Sequence, residues 1–291
     1  MAERSYGRRP WTFYVLAALF TAFVIFLYAP MFVIYILSFQ GPTGGLVFPM
    51  RGFSFTWFEA LFGQARTGDV GGAFSRSLPL ALIVLVLTVL ISVTAGFAFR
   101  KRFRGSAFIF YTAIASLIVP GLVLSIGILV TFRFPGSPLQ FPVSWYTSGL
   151  GAHLSWTLPF GLLIMFAILG RLSPSYEEAA YDLGASKWQA LRSVVIPIVF
   201  PGMIAVALFG FTLSYDEFPR SWLTVGSKNT LPIEIWTMTT NVTSPALYAL
   251  GSVTTLVSFI AIALALGSIA IIQWRRSRQP VGRKPSTKES E

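Results

Sequence analysis

A chain of 291 residues that is 54% hydrophobic and only 11% charged, with a mean hydropathy of +0.69, is not a soluble domain, in which about a quarter of residues carry charge. The absence of cysteine excludes a disulfide framework and any thiolate metal site. A net charge of +11 invites a nucleic-acid partner, but its placement along the chain follows membrane topology instead.

Six hydrophobic segments have roughly the 20 residues that a bilayer core demands: Trp11–Phe39, Ser77–Phe99, Ala107–Phe132, Ala152–Gly170, Ile196–Tyr215 and Leu250–Trp274. The first follows Arg4, Arg8 and Arg9 and is too long for a cleaved signal peptide, so it reads as an uncleaved anchor, with a kink expected at Pro30. The Gly-rich stretch that follows contains Phe53-Ser-Phe-Thr-Trp-Phe-Glu-Ala-Leu-Phe62, an amphipathic run that predicts a helix lying in the outer interface. Arg100, Lys101, Arg102 and Arg104 close the second segment, where anionic headgroups are expected. Trp145, Tyr146 and Trp156 suit an aromatic belt. His153, the only histidine, has no carboxylate cluster beside it and reads as an interfacial polar residue rather than a metal ligand or general base.

Of the 22 Lys and Arg residues, 16 fall in the N-terminus, the loop after the second segment, the loop at 171–195 and the C-terminal tail, and 6 fall in the alternate loops. The positive-inside rule therefore places both termini and the 171–195 loop in the cytoplasm. The tail from Arg275 onward, rich in Pro, Ser, Lys and Glu, reads as a solvated, disordered end rather than an RNA-binding arm.

The 171–195 loop is the long polar interruption that reads as two short, capped helices. Ser173 can cap a helix with Pro174 at its first position, and Glu177 and Glu178 then suit the positive end of the dipole. That helix is predicted to end at Gly184, in a left-handed conformation. Ser186 restarts the chain, with Gln189 completing a capping box, and Pro197 and Pro201 mark entry into the next span.

Glu178-Ala179-Ala180, Gly184-Ala185, Pro197 and Pro201 resemble the EAA signature of membrane permease subunits of binding-protein-dependent ABC importers. The resemblance implies a type I (MetI-like) permease fold, an all-α membrane protein with six transmembrane helices, and a coupling helix that docks into a groove on a cytoplasmic ATPase. On that basis Glu177, Glu178, Ala179, Ala180, Asp182, Gly184, Ala185 and Pro197 are the candidate ATPase-coupling residues. An amphipathic helix pair resting on the headgroups is the alternative reading of the same stretch.

The stretch Leu213–Gly251 carries a second resemblance. Ser214-Tyr-Asp-Glu-Phe218, Thr230-Leu-Pro232 and Pro245-Ala-Leu-Tyr-Ala-Leu-Gly251 are similar to the polyamine-type branch of these permeases, as is Ala95-Gly-Phe-Ala-Phe-Arg100. Arg76 departs from it, since that branch often has Asn before the equivalent of Ser77-Leu78. Asp216 and Glu217, with Trp222 and Trp236 as cation–π surfaces, are the candidate substrate pathway. The plainer alternative is an acidic helix end paired locally with Arg220.

No P-loop is present, and Asp216-Glu217 are the acids that come closest to a span. A secondary transporter or channel uncoupled from ATP is the rival function. It is disfavoured because coupling-ion sites usually need charges near the midplane. A membrane-embedded enzyme is disfavoured by a single His and the lack of paired intramembrane acids. The expectation is therefore a non-catalytic inner-membrane subunit with no cofactor and no metal site. It has a cytoplasmic stretch at 1–10, a transmembrane domain at 11–274 with the coupling loop at 171–196, and a tail at 275–291. Its expected partners are an ABC ATPase dimer, a second permease subunit, a periplasmic or extracellular solute-binding protein and the bilayer.

Overall fold

The structure, a computed structural model, describes residues 10–63, 68–101, 103–241 and 244–277. Arg4, Arg8, Arg9 and Arg102, and most of the basic tail, lie outside the described residues, as does any expectation about them. Among the described residues the chain is helical, and the one extended pairing is an isolated bridge between Gln40 and Phe53.

Among the described residues, five helices are long and apolar enough to cross a membrane. Helix α1 (Trp11–Leu37) runs through Pro30 without interruption. The next elements are α2 (Thr56–Phe62) and α3 (Val70–Arg100), the latter capped by the Asp69 carboxylate, which accepts from the Gly72 amide at 3.0 Å. The third predicted segment is divided into α4 (Ser106–Ala115) and α5 (Gly121–Arg133). Pro120 is extended, at φ −55° and ψ 132°. A proline has no N–H to continue a helical ladder, and it disfavours the helical region for the residue before it, so an unbroken apolar run need not be an unbroken helix. A π-turn (Trp145–Gly149) then feeds α6 (Leu150–Leu169).

Beyond it come α7 (Ser175–Asp182), α8 (Lys187–Ala190), a second π-turn (Leu191–Val195) and α9 (Ile196–Tyr215), whose bounds match the predicted fifth segment. The chain closes with α10 (Ser221–Thr224), α11 (Leu231–Asn241) and α12 (Ala246–Ser277).

The chain divides into two compact units. One contains α1, α2 and the residues 237–255. Its loop after α1 is held by buried Gln40, whose side-chain amide donates to the Gly45 carbonyl at 3.0 Å. Phe39 stacks on Phe53 at 5.2 Å between centroids, and the Tyr248 hydroxyl donates to the Leu46 carbonyl at 2.9 Å. The predicted interfacial helix thus shortens to Thr56–Phe62, because Phe53 and Phe55 pack on Phe39 instead of continuing it.

In the other unit, α3, α6 and α9 pack on one another around Val93, Met165, Leu169, Val195, Val199 and Val206. Close approach comes from small residues, the usual device where lipid supplies no hydrophobic drive between helices. A Cβ added at Gly161 would collide with Ser92 Oγ and meet Thr88 Cγ2 at 3.0 Å. Thr88 and Thr157, both buried, hydrogen-bond across the same seam at 2.8 Å.

Candidate functional site

The polar loop folds as two short helices joined by a tight turn. Pro174 is already helical, and the Ser173 hydroxyl accepts from the Ser175 amide at 3.3 Å, so the helix bounds differ by one residue from the predicted ones. At the other end Gly184 has φ +85°. Its amide donates to the Tyr181 carbonyl at 2.8 Å, and the Ala185 amide donates to the Ala180 carbonyl at 3.0 Å. These two bonds form a Schellman motif, which needs a left-handed residue at its centre. The capping box forms as well, with the Ser186 amide donating to Gln189 Oε1 at 2.7 Å and the Gln189 amide donating to Ser186 Oγ at 3.3 Å.

The two glutamates of the first turn face different partners. Glu177 is half-buried and accepts from Arg100, the last residue of α3, while Glu178 is exposed. Ala180 and Ala190 are buried, and Ala179, Asp182 and Gly184 are exposed. The apolar side chains at the turn face outward: Leu183 is 89% exposed and Trp188 67%. Arg100 was expected at the headgroups; its pairing with a residue 77 positions away carries no local sequence signal. Pro197 lies in the first turn of α9, which continues from α8 through the π-turn.

The second candidate cluster separates. Asp216, at the C-cap of α9, is exposed. Glu217 is buried at 6% exposure and accepts from the Arg220 backbone amide at 2.9 Å and from its Nη1 at 3.4 Å. The Arg220 guanidinium, itself buried, lies over the Trp156 ring at 4.2 Å from its centroid. The rings of Trp222 and Trp236 flank Phe218 at 5.3 and 5.7 Å. Trp156, expected in the aromatic belt, instead makes a cation–π contact with Arg220 inside the protein.

His153 is likewise not interfacial. It is 1% exposed and bridges α6 to α9 and α10. The Ser221 hydroxyl donates to the Glu217 carbonyl at 2.6 Å, so its oxygen accepts from His153 Nε2–H at 2.8 Å. Nδ1 then accepts from the Ser214 hydroxyl at 2.8 Å. The hydrogen-bond network assigns this tautomer. A buried histidine with two hydroxyl partners is a tie between helices, and the serine spacing that provides those partners spans two elements.

Arg76 also finds its place. Its Nε donates to the Asn229 carbonyl at 2.7 Å and its Nη2 to Asp69 at 2.9 Å. Buried Glu234 accepts from the Asp69 amide at 2.9 Å and from Asn229 at 2.8 Å, while Ser77 Oγ accepts from the Leu231 amide at 2.7 Å. The Thr230-Leu-Pro232 element is thereby tied to the start of α3.

The described residues thus form long apolar helices with a capped polar hairpin between two of them. Residues 88–274 match the model of binding-protein-dependent transport system inner membrane components, and the chain belongs to that family, the membrane permeases of ABC importers. It is 30% identical over 244 residues to the spermidine/putrescine transport system permease protein PotC of Escherichia coli K12, covering 83% of this chain and 89% of that one. To the putrescine transport system permease protein PotI of the same organism it is 27% identical over 272 residues, covering 92% and 90% of the two chains. In fold it is similar to a crystal structure of a bacterial ABC transporter involved in the import of the acidic polysaccharide alginate, with a TM-score of 0.60, 16% identity, and 94% and 99% of the two chains covered. The inward-facing methionine transporter MetNI is a second structural neighbour, with a TM-score of 0.55, 13% identity, and 70% and 95% covered.

Proposed function

We propose that this chain forms the translocation pathway of an ATP-driven importer of polyamine-like cations, and that its 171–196 hairpin docks on cytoplasmic ATPase subunits. The observation that carries the coupling role is the hairpin itself. Two short helices are fixed at a set angle by a Schellman turn and a capping box, and they present Leu183, Trp188 and Glu178 outward. An interfacial anchor would need neither device. The 16-to-6 distribution of Lys and Arg supports cytoplasmic termini and a cytoplasmic hairpin in the inner membrane. The substrate class comes from the relatives, PotC and PotI; the exposed Asp216 carboxylate and the half-exposed Trp222 and Trp236 rings around Phe218 are groups suited to an organic cation.

The chain itself performs no chemistry in this reading. Closure of the ATPase dimer moves the docked hairpin, and tilting of α3, α6 and α9 together with a second permease subunit alternates access. A solute-binding protein delivers the substrate from outside. The test is spermidine uptake by the assembled complex in vesicles. Uptake should cease when ATP is depleted with the proton gradient kept; persistence would favour a secondary transporter. Reporter fusions after Gly63 and after Ser186 should lie on opposite sides of the membrane, and finding both on one side would overturn the topology.

A further inference from the structure

Glu177 and Glu178 sit next to each other in the first turn of α7, yet one is turned to α3 and the other to solvent. We propose that the Arg100–Glu177 ion pair is the link through which the hairpin moves α3, so that Glu177 is a positioning residue rather than a contact to the ATPase. The proposal rests on the reading of the hairpin as the coupling element.

The hairpin already has one route into the bundle. Helix α8 runs through the π-turn into α9 without a break, so displacement of α8 is transmitted covalently to α9. A π-turn is a local bulge in a helix, frequent at functional sites, and this route joins only α8 to α9, so it leaves α7 free to pivot against α3. Packing does little to prevent it. Ala180 is the one buried residue of α7. Between α7 and the ends of α3 and α6 lies a cleft of about 1080 Å³, lined by Gly96, Phe166, Gly170 and Tyr181 as well as by Arg100 and Glu177. The ion pair bridges that gap.

Its placement suits a mechanical link. Arg100 ends α3 and Glu177 lies in the first turn of α7, so each charge also lies near the helix terminus whose dipole favours it. The two side chains are 23% and 26% exposed, shielded enough to hold yet still partly hydrated, which avoids the cost of full burial. Helix α3 packs along both α6 and α9, so a pull at its end reaches the whole three-helix core. The hairpin thus grips the core at two helices.

The chain has no cysteine, so spin labels can be placed through Leu90→Cys on α3 and Tyr176→Cys on α7, both at exposed positions. In the assembled importer, the distance between them should be narrowly distributed both without nucleotide and with ATP plus vanadate. Arg100→Glu and Glu177→Arg should each broaden it and lower ATP hydrolysis by the complex about fivefold, the upper range for a partly exposed pair. The double swap should restore both readouts, and the ATPase subunit should co-purify throughout. Glu177→Gln, a milder change, should broaden the distribution without altering membrane levels. Unchanged distances in the single variants, or a swap no better than the worse single variant, would overturn the proposal. Loss of the ATPase subunit with Glu177→Arg alone would make Glu177 a docking contact, which defeats the link and leaves the coupling hairpin standing. Parental retention and hydrolysis in both Glu178→Lys and Gly184→Val would instead defeat the coupling reading, and the link with it.

Discussion

Gly184 offers the sharpest test of the hairpin because the structure isolates a single energy term. With φ at +85° it occupies the left-handed region, and a Cβ built on it meets no atom within 4 Å. Substitution therefore creates no clash, and its whole cost is conformational. That cost is about 1–2 kcal/mol for an ordinary L-residue, which lowers the ratio of formed to unformed turn about 5- to 30-fold. Asparagine tolerates this region better, and a β-branched residue tolerates it worst. The series Gly184→Asn, Gly184→Ala and Gly184→Val should thus be graded, with membrane levels near parental in all three because the apolar spans are untouched. Substrate-stimulated ATP hydrolysis by the assembled complex should fall slightly, then several-fold, then about 30-fold. A valine variant that retains the ATPase subunit and hydrolyses ATP at the parental rate would refute the argument that this turn aims the hairpin. Equal loss in the asparagine and valine variants would show that surface bulk, not backbone conformation, is what matters there.

Asp216→Asn should leave thermal stability unchanged while lowering spermidine uptake, whereas Glu217→Gln, which strips the charge from a buried pair, should cost about 3 kcal/mol in detergent melting; the reverse pattern would exchange their roles. Gly161→Ala forces a methyl group against Ser92 and Thr88 where α6 crosses α3, and should destabilise the bundle by about 1–3 kcal/mol in the same melting assay, with no loss expected if the seam were loose. Arg76, through its hydrogen bond to the Asp69 side chain, holds that carboxyl below its usual value of 3.8. A depressed acid contributes stability that is complete above the unfolded value and lost as pH falls through the lower folded one. Melting of the wild type should therefore lose this contribution as pH falls below the usual carboxylate value, and in an Arg76→Gln background Asp69→Asn should cost less, because the share due to Arg76 is gone while the Gly72 amide still favours the carboxylate.

Much of this fold was legible because its signals are local. The bounds of α9 follow from hydropathy together with Pro197, and the hairpin follows from Ser186, Gln189 and Gly184, each acting within a few residues. The break between α4 and α5 was not legible from hydropathy, because Ala107–Phe132 is apolar throughout and only Pro120 hints at an interruption. His153 was misplaced for a related reason. Its partners Ser214 and Ser221 lie 61 and 68 residues away, so nothing beside it in the chain announces that they satisfy it. Arg76 was conspicuous as a departure from the family pattern, yet its role depends on Asn229, 153 residues on.

The two acidic pairs show where that boundary falls. Successive residues on a helix point about 100° apart, so Glu177 and Glu178 of α7 are not expected to share one environment; at Asp216-Glu217, just past the end of α9, one acid likewise turns to an arginine while the other stays exposed. The Glu217 partner is three residues away, close enough for the sequence to suggest a local pair with Arg220. The Glu177 partner is delivered by α3 from 77 residues away, and only the packing of the bundle brings it there. Treating each acidic pair as one unit, docking or binding, merges two functions that the fold keeps apart: the inward acid ties the element to the core, and the outward one remains available to a partner or a substrate.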